Sequence, residues 1–586
     1  MTISEKLKNS MSAALENLEV SEVGFSLEHP AELSHGDYAT NMALVCAKIV
    51  GKNPKAFADE VVGELKKMSI PEIAHLSVAG PGFINITLSK VFFEKDIPRI
   101  IFEAENFGKN DHLKGQKWVI EHTSPNPNKA MHLGHLRNNL TGMAIANIAE
   151  ANGVQVIRDE IDNNRGIAIA KLMWGYLKFG RKDGDTTKAE VAYWSSHSNE
   201  WKTPEDAGMR PDRFVDQFYV LGADDFKNPD VESVVRGLVV SWEAQDKTVW
   251  ELWSKVLEYS YAGQKRTLER LGNKWDNVWH EHEIYQEGKD LVEKGLQEGI
   301  FRISDGAVIT NLESYGLPDT VVRKADGTSL YITQEIALDR MKKEKYHADK
   351  LFWVIGPEQS LWLKQVFAVN EQLGTGKVSD FVHLAYGYMS ILKNGQIEKM
   401  SSREGNVIYI DDLIDMVKEK VEEKLSEKND ALAETIALGA VKFAILFTGR
   451  LTDTAFDIDR ATNLEGDSGP YLQYTHARIS SMIEKASKEG IAPQYDAKLE
   501  DVSELERVIY RFPEVVEKAL NEYAPNQIAT FLIETARAFN SFYGGKKIID
   551  TENKDTSAHR LAIAEATRIV LRNGLGLLGI TAPEKM

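Results

Sequence analysis

Three textures of apolar and polar positions follow one another along the chain. Leu7, Met11, Leu15 and Leu18 recur at helical spacing, and Asn53 followed by Pro54 supplies the cap and first-turn proline of a further helix. LSVAGPGFINITLS then alternates twice around Gly80-Pro81-Gly82, which predicts strand, turn, strand. Residues 1–110 therefore read as a small α+β unit. From Gln116 the texture changes. QKWVIEH and VQVIRDEID are short strands, separated by helix-forming sequence that starts near Gly134 and runs through LTGMAIANIAEANG. SLYITQEIALDRMKKEKYHADKLFWVIG predicts a helix then a strand, and FVHLAYGYMSI another strand. Strands alternating with helices predict a parallel, doubly wound α/β sheet over residues 111–410, its halves split by an insertion at about 181–300. From about residue 408 the apolar stripes keep a helical period, as in DDLIDMVKEKVEEKL and IATFLIETARAFNSFYGG. Residues 411–586 are thus expected to form a connector and an all-α helical bundle.

Length agrees with a multidomain chain: 586 residues suggest roughly three to four domains. Apolar residues at 43% and charged residues at 27% exclude a disordered or fibrous chain. No uninterrupted apolar run is long enough to span a bilayer, and MTISEKLKNS lacks the basic-then-apolar order of a secretory signal. No membrane association is expected. Cys46 is the only cysteine, so neither an internal disulfide nor a cysteine-rich zinc site can form, and the cytoplasm is the expected compartment. The net charge of -18 argues against a protein that coats nucleic acid non-specifically. It leaves room for a specific nucleic-acid partner on a local basic face, because the acidity is uneven. Residues 181–300 carry about −8, whereas residues 471–586 carry about −1. The insertion also holds 7 of the 11 tryptophans, so it is packed structure and not a linker.

The sharpest chemical signal is SPNPNKAMHLGHLRN, residues 124–138, where His132 and His135 flank Gly134 at the start of a helix that follows a strand. A helix N-terminus attracts phosphate through unpaired N–H groups and its dipole. Two imidazoles there can donate to phosphate oxygens as charge builds, Gly134 lets a flat ring approach the backbone, and Lys129 is placed to reach the same phosphates. The same histidines read equally as helix-cap groups. A metal site is disfavoured because no third ligand stands at useful spacing. The second signal is KMSSREGN, residues 399–406, in which Lys399 and Arg403 bracket a serine pair ahead of Gly405. A basic, glycine-containing loop suits clamping and releasing a triphosphate, although alone it also reads as a solvated turn.

Together the two motifs resemble the signatures of class I aminoacyl-tRNA synthetases, with His132-Leu133-Gly134-His135 as the "HIGH" motif and Lys399-Met400-Ser401-Ser402-Arg403 as "KMSKS". The fit narrows to the arginyl-tRNA synthetases. Ser124, Pro125, Asn126, Lys129, His132 and His135 match that family's first motif, and Leu330, Tyr331 and Thr333 match its Leu-Tyr-x-Thr. Gly469 to Arg478, Ala538 to Tyr543 and Pro583 to Met586 match its C-terminal runs; His35 to Ala39 and Gly80 to Phe83 match near the N-terminus. The resemblance covers nearly the whole chain and is weakest in the insertion.

The resemblance implies a Rossmann-type catalytic domain flanked by an N-terminal additional domain and a helical anticodon-binding domain. It implies ATP-dependent activation of L-arginine to arginyl-adenylate, then transfer to the 3′ terminal adenosine of tRNA(Arg), usually with tRNA bound first. His132, His135, Lys129, Lys399 and Arg403 would act on the phosphates. Gly134, Gly387 (in the strand before the second motif), Met400 and Ser401 would line ATP, which brings Mg2+ with it; no zinc is expected. Glu121, Tyr331 and Glu335 would hold the guanidinium by planar, charge-assisted contacts, Tyr331 and Glu335 sharing a helix face. Asn126 and Gln359 would meet the α-amino group. Phe83 and Asn85 would touch the outer corner of the tRNA; Tyr471, Tyr474 and Arg478, on the same helix as Gln473 and His476, would meet the anticodon. A monomer is expected. Two positions depart from the family: Gln334-Glu335 stand where Arg-Asp is usual, and Ser402 where a second lysine is usual. Glu is one methylene longer than Asp, so the pocket must shift or shorten elsewhere. A cysteinyl enzyme is excluded by the missing cysteine ligands, and the large editing synthetases are far longer. Small nucleotidyltransferases lack a helical RNA domain, and an inactive RNA-binding paralogue would not need His132, His135, Lys129 and Lys399 together.

Overall fold

The structure, a computed structural model, describes residues 2–586 except 22, 326–329, 394–395, 399–406 and 426. At the N-terminus, helices Ile3–Asn17, Met42–Val50 and Pro54–Lys67 pack on a four-stranded antiparallel sheet. Asn53 caps the third helix by accepting from the Lys55 and Ala56 N–H groups, with Pro54 in the first turn, as the sequence predicts. The predicted hairpin is Ile73–Ala79 against Phe83–Leu88. Gly82 (φ 133°) is required at its turn, because a Cβ there would lie 3.0 Å from the Pro54 main chain. Leu7, Met11, Tyr38, Phe57, Ile84 and Ile86 close the core of this unit, and Tyr510 from the far end of the chain joins it.

The middle of the chain forms a five-stranded parallel sheet. Its order is Phe381–His383, Lys350–Trp353, Lys117–Glu121, Gln155–Asp162, Asn277–His280. Helices cover both faces, which is why the central strands read as short continuous apolar runs and not as alternation. The helix Leu133–Ala151 is buried almost all round, so it shows no apolar stripe. The chain enters at Lys117–Glu121, winds one way to 155–162 and 277–280, then the other way to 350–353 and 381–383. The order reverses beside Lys117–Glu121, and a crevice opens there at the C-terminal strand ends.

Three details differ from expectation. The stretch 181–300 is not wholly an insertion, because residues 277–280 form an edge strand of the central sheet. FVHLAYGYMSI is not one strand: Phe381–His383 and Met389–Lys393 are separated by irregular chain, so Gly387 precedes a strand and does not lie in one. The region after 408 is helical apart from Thr454–Phe456, which pairs in parallel with Met389–Lys393.

Ahead of that edge strand, helices Ile167–Phe179, Pro211–Asp225, Pro229–Glu243 and Lys247–Leu271 surround their own core, in which Trp194, Trp201, Phe214, Trp242 and Trp253 are buried. The tryptophan-rich segment is thus a packed unit, as its composition predicts. Helices Asp430–Leu446, Gly469–Lys488, Pro525–Gly545 and Lys554–Leu577 build the C-terminal bundle, whose core is continuous with that under the 133–151 helix. No helix among the described residues is long and apolar enough to cross a membrane.

Candidate active site

The site starts where Lys117–Glu121 ends. Directly after it, Thr123 and Ser124 take positive φ (74° and 32°), which turns the chain sharply out of the sheet. Asn138, one helical turn past His135, holds this turn: its Oδ1 accepts from the Thr123 N–H (2.7 Å) and its Nδ2 donates to the Val354 carbonyl (2.7 Å). One side chain therefore bridges the ends of two strands across the crevice. His122 is buried against Trp275 (ring centroids 4.6 Å) and fills the space that a Cβ on Gly142 would need. Burial pushes its imidazole down to about 3, so it stays neutral.

His132 is the N-cap of the 133–151 helix. Its Nδ1 accepts from the Gly134 N–H (3.2 Å), and the His135 Nδ1 accepts from the His132 N–H (3.1 Å). An Nδ1 that accepts leaves the ring proton on Nε2. Both rings, 4.0 Å apart, therefore cap the helix through Nδ1 and keep an N–H on Nε2 at the other edge. Burial first, then Lys129, lowers His132 to about 4; burial, His132 and Lys129 hold His135 well below its usual value. Gly134 leaves room for the His132 ring, which a Cβ would meet at 3.1 Å. Burial lowers Lys129, while Asp216 of the insertion opposes that shift.

The second motif is tied to the first at its root. Lys399, Met400, Ser401 and Arg403 lie outside the described residues. The chain that follows them is fastened: Leu133 N–H donates to the Ile408 carbonyl (3.1 Å), Ile410 N–H to the Met131 carbonyl (3.2 Å), and His132 bridges Tyr409. Tyr409 in turn donates to Asp216 (2.6 Å) and carries the Arg213 guanidinium over its ring (3.1 Å). Gly387 packs on the turn at 450–453; a Cβ would lie 2.6 Å from the Thr452 carbonyl.

On the opposite face of the sheet the strand ends carry carboxylates. Register sets Glu121 beside Asp159 and Trp353. The helix Tyr331–Tyr346 lies against them and brings Glu335, Asp339 and Lys342, the last two of which sequence reasoning missed. Lys342 donates to Glu121 and lies 3.3 Å from Asp159; Trp279 donates to Asp159 (2.8 Å), Trp353 to Glu335 (2.7 Å) and Asn370 to Asp339 (2.6 Å). Burial, then Glu121, pushes Glu335 up to about 7, and burial followed by Glu335 raises Asp339 well above the carboxylate range. One oxygen each of Asp159 and Asp339 is buried without a partner, so the cluster has more acceptors than donors. The stripe Tyr331, Glu335, Asp339, Lys342 at helical spacing was the available signal for the missed residues.

The remaining expected residues are spread wider. Tyr331 begins its helix and is 72% exposed; Asn126 is an exposed loop residue whose carbonyl accepts from Gln264 (3.1 Å); Gln359 is half-buried just before the helix Ser360–Gln372. Phe83 is 40% exposed and shares the outer face of its strand with Asn85, so it is not hairpin core. In the bundle, Gln473 and His476 are buried, donating to the Thr581 carbonyl (2.8 Å) and, through Nδ1, to the Pro583 carbonyl (2.9 Å) respectively. Tyr474 and Arg478 face a groove of about 660 Å³ with Lys485, Tyr543, Lys546 and Lys547. Arg478 stacks over Tyr474 (4.7 Å) and Tyr543 (5.6 Å), and Tyr471 accepts from Asn540 (2.7 Å) at its edge.

Comparison with known proteins places most of the chain in described families. The family of class I (R) tRNA synthetase catalytic domains matches residues 96–458, the DALR anticodon binding domain residues 472–586, and the arginyl tRNA synthetase N terminal domain residues 3–88. Among curated relatives, the arginine–tRNA ligase of Treponema denticola is 34% identical over 588 residues, covering 96% of this chain and 95% of that one. That of Bacteroides fragilis is 31% identical over 623 residues, covering 100% of both. Among solved structures, the Thermus thermophilus arginyl-tRNA synthetase (TM-score 0.77, 23% identity) and that of Plasmodium falciparum (TM-score 0.79, 18% identity) each cover 100% of both chains and share the fold.

Proposed function

Because the chain belongs to the class I arginyl-tRNA synthetases, it activates arginine and charges tRNA(Arg) in translation, and we propose that its own residues divide that work as follows. ATP, brought with its Mg2+, lays its phosphates at the start of the 133–151 helix. His132 and His135 donate through Nε2, and Lys129, Lys399 and Arg403 add positive charge. Gly134, Gly387, Met400 and Ser401 shape the remainder of the nucleotide site. The arginine carboxylate attacks the α-phosphorus, pyrophosphate leaves, and the arginyl group then passes to the 2′-hydroxyl of the terminal adenosine. Neutral imidazoles suit this role, since they stabilise charge without exchanging a proton. The rest is positioning.

Glu121, Glu335 and Tyr331 receive the guanidinium; Asn126 and Gln359 receive the α-amino group. The observation that carries this reading is a cluster of four carboxylates, Glu121, Asp159, Glu335 and Asp339, with Lys342 as the one cation paired with it among the described residues, at the reversal of strand order. A guanidinium presents five donors in a plane and fits such a deficit. The Trp353 hydrogen bond to Glu335 accounts for the longer side chain at that position, since it fixes the extra methylene against the neighbouring strand. The cationic aromatic groove at Tyr474 and Arg478, with Tyr471 at its edge, meets anticodon bases, and Phe83 with Asn85 the outer corner of the tRNA. The chain acts as a cytoplasmic monomer.

Pyrophosphate exchange into ATP, with each of the twenty amino acids and with or without bulk tRNA, tests this. Exchange with arginine alone, requiring tRNA, supports the assignment. Exchange with another amino acid would move the error to Glu121, Tyr331 and Glu335. No exchange by a folded, tRNA-binding protein would overturn the catalytic roles.

A further inference from the structure

Lys342 is an ammonium with 1% of its side chain accessible, on the inner face of the Tyr331–Tyr346 helix. Burying a lysine costs several kcal/mol unless its charge is matched, so such a residue is held for a reason. Its Nζ donates to Glu121 and lies 3.3 Å from Asp159. Parallel register places those two carboxylates side by side, where a cation between them offsets their mutual repulsion. Among the described residues, Lys342 is the one cation paired with either. The accessibility is graded: Asp159 has none, Lys342 1%, and Glu121 11%. The ammonium therefore closes the pocket from inside, and Glu121 alone of the three remains open toward the crevice. Asp159 is further held by the Trp279 indole (2.8 Å) and serves as the fixed end of the bridge.

We infer that Lys342 is a positioning residue for substrate specificity: it anchors to Asp159 and holds the Glu121 carboxylate in place, so that the pocket accepts one further planar cation. It does not touch the substrate. This rests on Glu121 being an arginine contact. The cluster then contains one built-in cation and receives the second with each arginine.

The test is a double-mutant cycle on the full chain with tRNA(Arg), reading the arginine and ATP KM values in aminoacylation. E121Q and K342M should each raise the arginine KM about 10- to 100-fold, the range for charge-assisted hydrogen bonds, and leave the ATP KM within about threefold. The double variant should be no worse than the poorer single one, because both changes remove one interaction. K342R, which keeps the charge, should recover most of the loss. If K342M does not accumulate folded, K342Q is read in the same way. An unchanged arginine KM in K342M, an equal rise in both KM values, or a double variant worse by the product of the singles overturns the inference. If E121Q is also without effect, the assignment of Glu121 falls with it; if only K342M is silent, that assignment stands and the inference alone fails.

Discussion

Replacing Arg137 with Met should damage both stability and ATP binding. Arg137 is 1% exposed, one turn into the helix that His132 caps. Its guanidinium donates to the carbonyls of Tyr388 (3.2 Å), Gly449 (3.2 Å), Arg450 (3.1 Å) and Thr452 (2.7 Å) and to the Thr454 hydroxyl (2.9 Å). The same Arg450 carbonyl accepts from Gly387 (2.9 Å), and the Thr452 carbonyl is where a Cβ on Gly387 would collide. Arg137 thus fixes the turn against which the proposed nucleotide-lining glycine packs. Charge-assisted hydrogen bonds contribute about 1.5–3 kcal/mol each, but five on one group are not additive, and removing the charge recovers its burial cost. The loss to be expected is that of one broken buried charge site, about 3–5 kcal/mol. In a domain of this size that lowers the melting temperature by about 5–10 °C. Freed carbonyls let the 449–454 turn relax, so the ATP KM in pyrophosphate exchange should rise about tenfold, a cost of about 1.4 kcal/mol in binding, with the arginine KM nearly constant. R137K, with three donors in place of five, should fall between. A melting temperature within 2 °C of the parent would refute the energetic argument. A large thermal loss with an unchanged ATP KM would refute the link from Arg137 to Gly387.

Other outcomes follow from the same geometry. E335Q should raise the arginine KM far more than the ATP KM in aminoacylation; equal effects on both would refute its place in the guanidinium pocket. Glu160 is buried, and burial with Asp162, Glu121 and Asp159 nearby pushes it up to about 8. Folded Glu160 keeps its proton where the unfolded chain has lost it, so its favourable contribution is complete below about pH 4.5 and is lost as pH rises through about 8. E160Q should therefore gain stability over the parent progressively between those values, to about 5 kcal/mol above pH 8; a gain equal at pH 5 and pH 9 in thermal melts would refute this. R507M leaves Asp37, fully buried, without its cation, and about 3–5 kcal/mol of docking should be lost. Limited proteolysis should then release the first 88 or so residues faster; an unchanged rate would refute the role of that pair.

Much of the fold was legible because its elements bury whole faces. Lys117–Glu121 and Lys350–Trp353 are covered on both sides and read as continuous apolar runs, and the bundle helices read as stripes. Asn277–His280 escaped because a four-residue edge strand needs only one buried side chain, Trp279, while Val278 stays 38% exposed. Gly387 was misplaced for a related reason. Leu384 and Gly387 are buried outside the strands, Gly387 against the 449–454 turn, and an apolar run of that kind looks the same in sequence as a strand. The imidazole pair was legible as a motif, but not that each ring accepts on Nδ1 and so presents Nε2–H; backbone geometry decides that. Lys342 was visible as part of a stripe with Tyr331, Glu335 and Asp339, yet its partner Glu121 is 221 residues away.

The segment His35 to Ala39 shows where motif reading stops and physics takes over. Gly36 is needed because at φ 94° a Cβ would lie 2.5 Å from the Ile86 carbonyl. That contact delivers Asp37, whose N–H donates to the same carbonyl (2.7 Å) and whose carboxylate accepts from Leu88 N–H (2.7 Å) and from Arg507. Tyr38 donates to Glu514 (2.5 Å), and His29, its ring tilted against Tyr38 (centroids 4.5 Å), faces the same glutamate at 3.3 Å. Asp37, Tyr38 and His29 thus close a seam between the N-terminal sheet and the helical bundle, whose Tyr510 completes the N-terminal core. Both proposed outer tRNA contacts, at Phe83 and at the Tyr474 groove, sit on bodies joined by this seam. Its buried charges give the two contacts a fixed relative placement, which an exposed linker between the same units would not.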